Sequence, residues 1–477
     1  MGVLEYLFVI EMESLSPESK EKFETVITTA MAQAHVPGMS IAAVKDNHVV
    51  YAQGFGARNL KDNLPATPDT LYGIGSCTKS FTALAVMQLV EQGKVNVTDP
   101  VSNYVPFSLG TEENPITIHH LLTHSSGIPN LGIAEILIPR LAGEEEHYIP
   151  MGSSTDLLIH INGAKKEVVT PPGKRFFYFN GGYTLLAEII ERVSGQPYED
   201  YITQKILTPL KMERSTFLKE NYQKDSDAMT SYFVQEKEGT VEITPADHPF
   251  HKFIYGPGGL LSSVKELTHY LTFNMNDGVY EGVQVVDASL LKDMHKPHIE
   301  RDPGLFGKSA YGYGWGITED FLGHTLVNHG GSTGMSSAYI SFVPDLNIGV
   351  VMACNMGGAP ALELVSLGML AFLMGKDPEK DIPVFEIEKK LNMLAGEYES
   401  YKGIHKISIM KKGELLYAEI KEKFIEMEAP LIPETENMET FTFYIQGPGV
   451  RTPVEFVVDS SGIDLYIERN RFHKMTS

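Results

Sequence analysis

The segment from Gly73 to Gly93 most restricts how this chain can fold, because it predicts a helix that is apolar on nearly every side. The run TKSFTALAVMQLV follows a glycine-rich approach, and Gly93 is placed to cap the C-terminal end. A helix without a polar face is stable only when it is buried. The surrounding chain therefore has to cover this helix.

Two chemically active side chains, Ser76 and Lys79, lie at the start of the predicted helix. They are one turn apart and should be neighbours on one face. Burial removes water from the lysine, and the positive end of the helix dipole also disfavours its charge. Both effects lower the pKa of the amine from about 10.4, so Lys79 can act as the base for a Ser76 nucleophile. The plainer interpretation is that Ser76 only caps the helix.

Length, charge and cysteine content limit the class of protein. A chain of 477 residues predicts two or three domains. Its 39 basic and 61 acidic residues give a net charge of −22, which argues against nucleic acid or a membrane surface as a partner. Cys77 and Cys354 are too few for a disulfide framework and favour a reducing compartment, so we expect a cytoplasmic location.

The order of predicted elements divides the chain into domains. Residues 1–15 are expected to be an N-terminal extension, wrongly charged for a signal peptide, with Met12 as an alternative start. Residues 16–375 mix helices with antiparallel strands, and a polar linker with a proline follows at 376–386. In residues 387–477, apolar and polar residues alternate in short runs that are separated by turns containing glycine. This pattern predicts short strands and a small closed barrel.

Within the first domain the patterns give a coarse assignment of elements. They predict helices at 16–34, 181–193, 264–274 and 361–372, a hairpin at 39–53, and irregular chain at 130–175. In the final domain they predict strands at 407–409, 416–420, 441–445, 454–458 and 463–467.

Two further stretches supply side chains that a serine acyl-transfer site requires. Tyr178 and Asn180 stand just before a predicted helix, where a phenol beside a lysine can relay a proton. His329, Gly330 and Gly331 lie among predicted strands, and the glycines let the backbone approach a ligand closely. Each stretch taken alone also fits a structural role, such as a turn asparagine or a packed tyrosine.

The same regions allow two other interpretations. His120 and His124 have the spacing of helical zinc ligands, but no glutamate follows the first histidine and no third ligand is evident. Residues 330–334 match the G-x-S-x-G elbow of α/β-hydrolases, which requires a helix after the serine. Residues 335–343 predict a strand instead. We therefore expect no metal and no cofactor.

In chain order, the segments 76–79, 178–180 and 329–331 resemble the three motifs of the serine β-lactamase and penicillin-binding-protein superfamily. The resemblance spans about residues 20–375 and is strongest to the lactamase-C-related, CubicO-type peptidase branch. The final domain resembles the lipocalin-like domain of archaeal members of this branch. Further segments that carry the resemblance are residues 70–75, 121–127, 172–176, 258–263 and 313–316.

The resemblance implies a fold and a set of roles. The fold would be an α/β (α+β) transpeptidase-like domain with an antiparallel sheet and a helical lobe, followed by a lipocalin-like barrel. Ser76 would be the acylated nucleophile and Lys79 its base. Tyr178 would relay the proton to the leaving group, and Asn180 would hold Lys79 and the substrate amide.

The third motif would supply the remaining parts of the site. The backbone N–H groups of Ser76 and Ser332 would form the oxyanion hole, and Gly330 and Gly331 would line the bound substrate. His329 occupies a position where many members of the superfamily have a lysine that meets a substrate carboxylate. A histidine with a pKa near 6.5 is mostly neutral at pH 7, so recognition of a carboxylate by this residue is not expected.

These considerations predict a serine hydrolase that works through an acyl-enzyme. The expected activity is that of a peptidase on short peptides, including peptides with D-residues, and the expected assembly is a homo-oligomer. A carboxylesterase or a β-lactamase is the alternative within the superfamily. An alternative of another class is a non-catalytic protein whose barrel binds a ligand.

Overall fold

The computed structural model describes residues 17–141, 149, 151–237, 240–358, 361–422, 425–435, 438–460 and 462–475. The predicted N-terminal extension, residues 1–15, and the alternative start Met12 lie outside these residues. The chain divides into two compact units, Met1–Gly375 and Lys376–Ser477.

The first unit combines one large sheet with many helices. Its helices are α1 Pro17–Gln33, α2 Thr78–Glu91, α3 Ile118–Leu122, α4 Ile133–Leu141, α5 Ser154–Gly163, α6 Asn180–Ser194, α7 Tyr198–Ile202, α8 Lys219–Lys224, α9 Lys252–Gly258, α10 Val264–Met275, α11 Ala288–Met294 and α12 Ala361–Leu373. Its strands are β1 Gly38–Lys45, β2 His48–Asn59, β3 Leu64–Pro65, β4 Tyr72–Gly73, β5 Ser231–Lys237, β6 Thr240–Ala246, β7 Leu261–Ser262, β8 Val279–Tyr280, β9 Val283–Gln284, β10 Ile299–Gly304, β11 Gly307–Tyr311, β12 Gly316–Phe321, β13 His324–Ser332, β14 Ser337–Val343 and β15 Ile348–Cys354.

The large sheet is antiparallel and is covered on both faces. Within the described residues it has nine strands in the order β10-β11-β12-β13-β14-β15-β1-β2-β3. Ser341 of β14 makes a hydrogen bond of 2.7 Å with Ser366 of α12. The next residue of β14, Phe342, is paired with Gly349 of β15. On the face of the sheet opposite to Ser341, Gly349 lies against the side chain of Leu271 of α10. Because adjacent residues of a strand point to opposite faces, α12 and α10 cover opposite sides.

Helix α2 lies at the centre of the helical lobe, as its apolar sequence predicts. Every residue of α2 from Thr78 to Leu89 is buried, and the helix packs against α6, α7, α9 and α11. Its side chains share one apolar core with these helices and with the large sheet. Burial of this helix fixes the position of the residues at its N-terminal end.

The second unit is a closed antiparallel barrel preceded by two helices. The helices are α13 Pro378–Asp381 and α14 Pro383–Leu394. The eight strands found among its described residues are β16 Gly396–Ser400, β17 Lys406–Lys412, β18 Leu415–Glu422, β19 Ile425–Pro433, β20 Thr442–Gly447, β21 Val450–Asp459, β22 Gly462–Ile467 and β23 Asn470–Lys474. Leu391 and Leu394 of α14 join the apolar core that the strands enclose, and Tyr398 donates a hydrogen bond to the Leu394 carbonyl oxygen at 2.6 Å.

The structure confirms the predicted fold class and corrects part of the coarse assignment. Residues 130–175 are not irregular throughout, because α4 and α5 lie within them. The predicted linker at 376–386 contains α13 and the start of α14. In the barrel, β16, β19 and β23 were not predicted; β19 includes Pro430 and Pro433, which weaken a strand pattern.

Candidate active site

Ser76 lies in a 3₁₀ turn, Gly75–Cys77, that leads directly into α2. Gly75 has a φ of +52°, a left-handed conformation that suits glycine because it has no Cβ. Lys79 stands in the first turn of α2, and its side chain is 0% exposed. Its Nζ lies 2.9 Å from Ser76 Oγ. The structure therefore brings together the two side chains that the sequence predicts to be neighbours.

Two other elements supply hydrogen-bond acceptors to the same amine. Lys79 Nζ donates to Oδ1 of Asn180 at 2.8 Å and to the backbone carbonyl oxygen of Pro257 at 2.8 Å. Asn180 begins α6, and Pro257 lies in α9. Burial lowers the pKa of the amine well below 10.5, against smaller opposing contributions from Cys77 and Glu135.

The phenol of Tyr178 packs against the lysine. Lys79 Nζ is 4.7 Å from the centroid of the Tyr178 ring and 5.5 Å from that of Tyr183. Burial raises the pKa of the Tyr178 phenol, and a hydrogen bond with Ser76 partly offsets this rise. The phenol therefore keeps its proton near neutral pH and has one to give or exchange.

His329 is buried with both ring nitrogens engaged. Nδ1 lies 2.6 Å from the Gly330 carbonyl oxygen, which can only accept, so Nδ1 carries the hydrogen. Nε2 lies 2.9 Å from the Tyr311 hydroxyl and accepts from it. Burial, with a smaller contribution from the charge of Lys79, lowers the pKa of His329 to about 3. His329 is consequently neutral and presents no cation to a bound carboxylate.

The backbone at Ser332 approaches the Ser76 turn very closely. A Cβ on Gly331 would lie 2.0 Å from the carbonyl oxygen of Ile74 and 2.7 Å from the amide nitrogen of Ser76. A Cβ on Gly75 would lie 2.4 Å from the amide nitrogen of Ser332. Glycines at these two places allow the amide groups of Ser76 and Ser332 to lie side by side, whereas Gly330 is exposed at the surface of β13.

The structure also adds residues that sequence patterns did not assign to the site. Tyr311 of β11 binds His329, and the Pro257 carbonyl binds Lys79. His124 packs against Tyr178 with ring centroids 4.3 Å apart. The guanidinium of Arg301 on β10 lies 5.1 Å from the Phe176 ring centroid, beside these tyrosines. Among these residues, only His124 lies in a segment singled out from the sequence, both as a candidate metal ligand and within residues 121–127, which carry the family resemblance.

The residues of the two alternative motifs have local structural roles. His120 Nδ1 lies 3.1 Å from the backbone nitrogen of Thr117, which it caps, and His124 Nδ1 accepts from the backbone N–H of Phe179. In the part of the chain that the structure describes, no cluster of three or more potential metal ligands occurs. The elbow-like residues 330–334 lead from β13 to β14 rather than to a helix.

Comparison with known proteins identifies the first unit. Residues 23–365 match the family model described as Beta-lactamase. The chain belongs to the β-lactamase family. The predicted relationship to β-lactamases and penicillin-binding proteins, whose members are generally serine hydrolases, is confirmed. Residues 378–473 match a second model, described as the Pab87 octamerisation domain.

Among curated members of the family, Protein flp from Staphylococcus aureus (strain MW2) is 30% identical over 355 residues, which are 74% of this chain and 66% of that protein. The chain thus spans about two thirds of the length of this curated relative. Penicillin-binding protein 4 from Amycolatopsis lactamdurans is 26% identical over 351 residues, covering 71% of this chain and 85% of that one.

Solved structures of the family agree with this fold. The octameric penicillin-binding protein homologue from Pyrococcus abyssi is 40% identical with a TM-score of 0.88, and the match covers 95% of this chain and 100% of that one. A class C β-lactamase is 21% identical with a TM-score of 0.61 over 75% of this chain and 96% of that one, and supports the fold alone. Among the described residues, no helix is both long and apolar enough to cross a membrane.

Proposed function

We propose that the protein is a serine peptidase that forms an acyl-enzyme on Ser76 and acts on short peptides, including peptides with D-residues. The observation that carries the proposal is the fully buried amine of Lys79, 2.9 Å from Ser76 Oγ. Every other part of the mechanism depends on this pair.

The contacts of Lys79 fit a neutral amine. A neutral amine has two N–H donors and one lone pair. The two carbonyl oxygens of Asn180 and Pro257 can only accept, and they use both donors. The lone pair is then free to accept the Ser76 hydroxyl hydrogen. Because burial lowers the pKa of the amine, burial favours this neutral state over the ammonium.

The proposed reaction uses these groups in two stages. Ser76 Oγ bonds to the substrate carbonyl carbon while its hydrogen passes to Lys79, and the C–N bond breaks as Tyr178 gives its proton to the departing amine. Lys79 then returns the hydrogen to Tyr178, which restores the neutral amine and the phenol. Water attacks the acyl carbon, the bond between Oγ and that carbon breaks, and the hydrogen that water loses passes through the same groups to Ser76 Oγ. The amides of Ser76 and Ser332 would stabilise the oxyanion in both stages, and one donor of this kind contributes about 2.7–4 kcal/mol.

Arg301 supports a peptide substrate over an uncharged ester. Its exposed guanidinium lies against Phe176 and has no carboxylate partner among the described residues. Stacking on a ring holds a guanidinium ready for a carboxylate. His329 is neutral, so Arg301 is a cation near this site that can meet the C-terminal carboxylate of a peptide. The neutral His329 is also what favours the second candidate, a carboxylesterase.

The non-catalytic alternative depended on a barrel that holds a ligand. In the described part of the barrel, large side chains such as Phe443 and Phe456 fill the interior together with α14. A filled interior favours a structural role for this unit. Since the second unit matches an octamerisation domain and the Pyrococcus abyssi homologue is octameric, we propose that it assembles this chain into a homo-oligomer as well.

We also propose a cytoplasmic location. Cys77 and Cys354 are both buried and free, which suits a reducing compartment.

The proposal is tested by labelling the protein with a fluorophosphonate and locating the adduct by mass spectrometry. The adduct is expected on Ser76, and Ser76→Ala and Lys79→Ala should abolish labelling near neutral pH. Ser80→Ala is the matched control, because Ser80 is a nearby serine in the first turn of α2 whose hydroxyl donates to the Cys77 carbonyl oxygen. Labelling that survives in Ser76→Ala would refute the proposal.

Turnover then separates the substrate classes. Short L- and D-peptides, p-nitrophenyl esters and penicillin should be compared at equal enzyme concentration, and the peptides are expected to give the highest kcat/KM. Turnover of esters alone would support the carboxylesterase instead.

A further inference from the structure

His124 has an unusual backbone conformation at the end of α3. Its φ is +56°, the left-handed region that glycine normally occupies after a helix. The Ser125 N–H bonds to the His120 carbonyl oxygen at 2.9 Å, and the His124 N–H to that of Leu121 at 3.3 Å, as in a helix-ending turn. Glycine would adopt this backbone conformation with less strain than histidine, so the imidazole is expected to have a function of its own.

His124 forms hydrogen bonds on both sides of Tyr178. Its backbone carbonyl oxygen accepts from the N–H of Phe177 at 2.8 Å, and its Nδ1 accepts from the N–H of Phe179 at 3.0 Å. One residue therefore binds the two amides that flank the tyrosine. The neighbouring Ser125 carbonyl extends the contact by accepting from Gly173 at 2.7 Å.

The imidazole also contacts the phenol itself. The ring of His124 is 1% exposed and lies 4.3 Å from the Tyr178 ring, centroid to centroid. Tyr183 and Tyr311 pack on it at 5.0 Å each. Since Nδ1 accepts a hydrogen bond, the hydrogen is on Nε2, which has no hydrogen-bond partner among the described residues.

His124 is uncharged in this setting. Burial lowers its pKa well below 6.5, and the positive charges that Lys79, His329 and Arg301 can carry lower it further. A neutral ring keeps Nδ1 available as an acceptor.

We propose that His124 is the positioning residue for Tyr178: its carbonyl oxygen and Nδ1 hold the two flanking amides and thereby place the phenol beside Ser76 and Lys79. The inference rests on the proposed acyl-enzyme mechanism and adds a residue to it. The competing hypothesis is that His124 only ends α3. The two hypotheses make opposite predictions for substitutions at this position.

The test compares His124→Asn with His124→Gly. Both residues tolerate a positive φ, and both remove the ring. In asparagine the acceptor oxygen Oδ1 is bonded to Cγ, as Nδ1 is in histidine, so asparagine can still accept a hydrogen bond from the Phe179 N–H. Glycine has no side-chain acceptor. Positioning predicts that His124→Asn keeps a kcat/KM for peptide hydrolysis within a few-fold of that of the unsubstituted protein. It predicts that His124→Gly loses about 10²-fold, the effect of misplacing a reacting group by about 1 Å. If His124 only ended the helix, His124→Gly would be at least as active as His124→Asn, and that result would overturn the inference.

A double-substitution cycle with Tyr178→Phe shows whether His124 acts through the phenol. The kcat/KM for peptide hydrolysis is measured for Tyr178→Phe, His124→Gly and the two combined, because Tyr178 protonates a departing amine in that reaction, whereas a fluorophosphonate releases fluoride. The inference requires that His124→Gly lowers the measured kcat/KM little further in a protein that already carries Tyr178→Phe and so lacks the phenol hydroxyl. Additive losses, or a Tyr178→Phe variant that hydrolyses the peptide as fast as the unsubstituted protein, would overturn it. The Ser76→Ala variant separates failure of this inference from failure of the proposed function. If the proposed function is wrong, fluorophosphonate labelling survives in Ser76→Ala; if only the inference about His124 is wrong, Ser76→Ala still abolishes labelling.

Discussion

At the scale of single residues, the site depends on a lysine held away from water. Three groups converge on Lys79 Nζ, namely Ser76 Oγ, Asn180 Oδ1 and the Pro257 carbonyl oxygen. None of them carries a full charge that would stabilise an ammonium. The cost of burying a charge therefore falls on the protonated form, and burial favours the neutral amine, which can act as a base.

Arg301→Gln should impair binding of peptides that have a free C-terminal carboxylate. Loss of one charge-assisted contact of about 1.5–3 kcal/mol raises KM for such peptides by about tenfold or more, with kcat nearly unchanged. The same peptide with an amidated C-terminus should respond little. Steady-state kinetics on the peptide pair measure both effects.

Lys308→Gln is the matched control for Arg301, because Lys308 is an exposed cation on the neighbouring strand β11. It should leave both KM values unchanged. Equal effects of Arg301→Gln on the free and amidated peptides would contradict carboxylate recognition by this residue.

At the scale of elements, the packing of β13 against the Ser76 turn would set the geometry of the proposed oxyanion hole. Cys77 Sγ donates to the His329 carbonyl oxygen at 3.1 Å and links the turn to the strand. Gly331 makes the close approach possible, since a Cβ there would overlap the Ile74 carbonyl oxygen.

Gly331→Ala should separate β13 from the Ser76 turn. Overpacking of this kind costs about 1–3 kcal/mol of the free energy of unfolding, and the shifted amide should also slow acylation. Denaturant unfolding and the labelling rate measure the two losses.

Gly330→Ala tests whether the effect belongs to this one contact. The nearest atom to a Cβ on Gly330 is Cδ2 of the Tyr339 ring at 3.3 Å, a side chain able to move slightly. The free energy of unfolding should therefore change less than in Gly331→Ala. Equal destabilisation by the two substitutions would contradict the proposed contact.

The elements differ in how far the sequence could predict them. Helix α2 and the Ser76–Lys79 pair were predictable because helical periodicity is local. Helix α5 was missed, although its capping box of Ser153 and Asp156 is a usable signal. The parts contributed by Tyr311 and by the Pro257 carbonyl could not be predicted from patterns, since chain segments distant in sequence bring them to the site.

At the scale of the whole molecule, buried neutral histidines link stability to pH. His248 is 7% exposed, and burial lowers its pKa to about 3. In the unfolded chain the pKa returns to about 6.5, so below that pH the unfolded state binds a proton that the native state does not. The resulting stability is complete above pH 6.5 and is lost as the pH falls toward 3.

His248→Gln should therefore reduce the dependence of stability on pH. Each such histidine makes the free energy of unfolding fall by up to about 1.4 kcal/mol per pH unit below its unfolded pKa. Urea unfolding between pH 7 and pH 5 should show a shallower decline for His248→Gln than for the unsubstituted protein. An unchanged slope would mean that His248 is protonated in the native state.

The assembly of the chain is a second property of the whole molecule. If residues 378–473 act as the octamerisation domain that they match, the full chain should sediment as an octamer and a chain that ends at Gly375 as a smaller species. Analytical ultracentrifugation measures both. A full chain that sediments as a monomer would contradict the proposed assembly.

The most direct test of the mechanism is the rate of fluorophosphonate labelling of Ser76 as a function of pH, because its acid limb reports the pKa of the base in the free enzyme. Burial lowers the pKa of Lys79 well below 10.5, so the rate should level off well before about pH 10. A rate that instead climbs about tenfold per pH unit until near pH 10 would reveal an ordinary lysine and contradict the account.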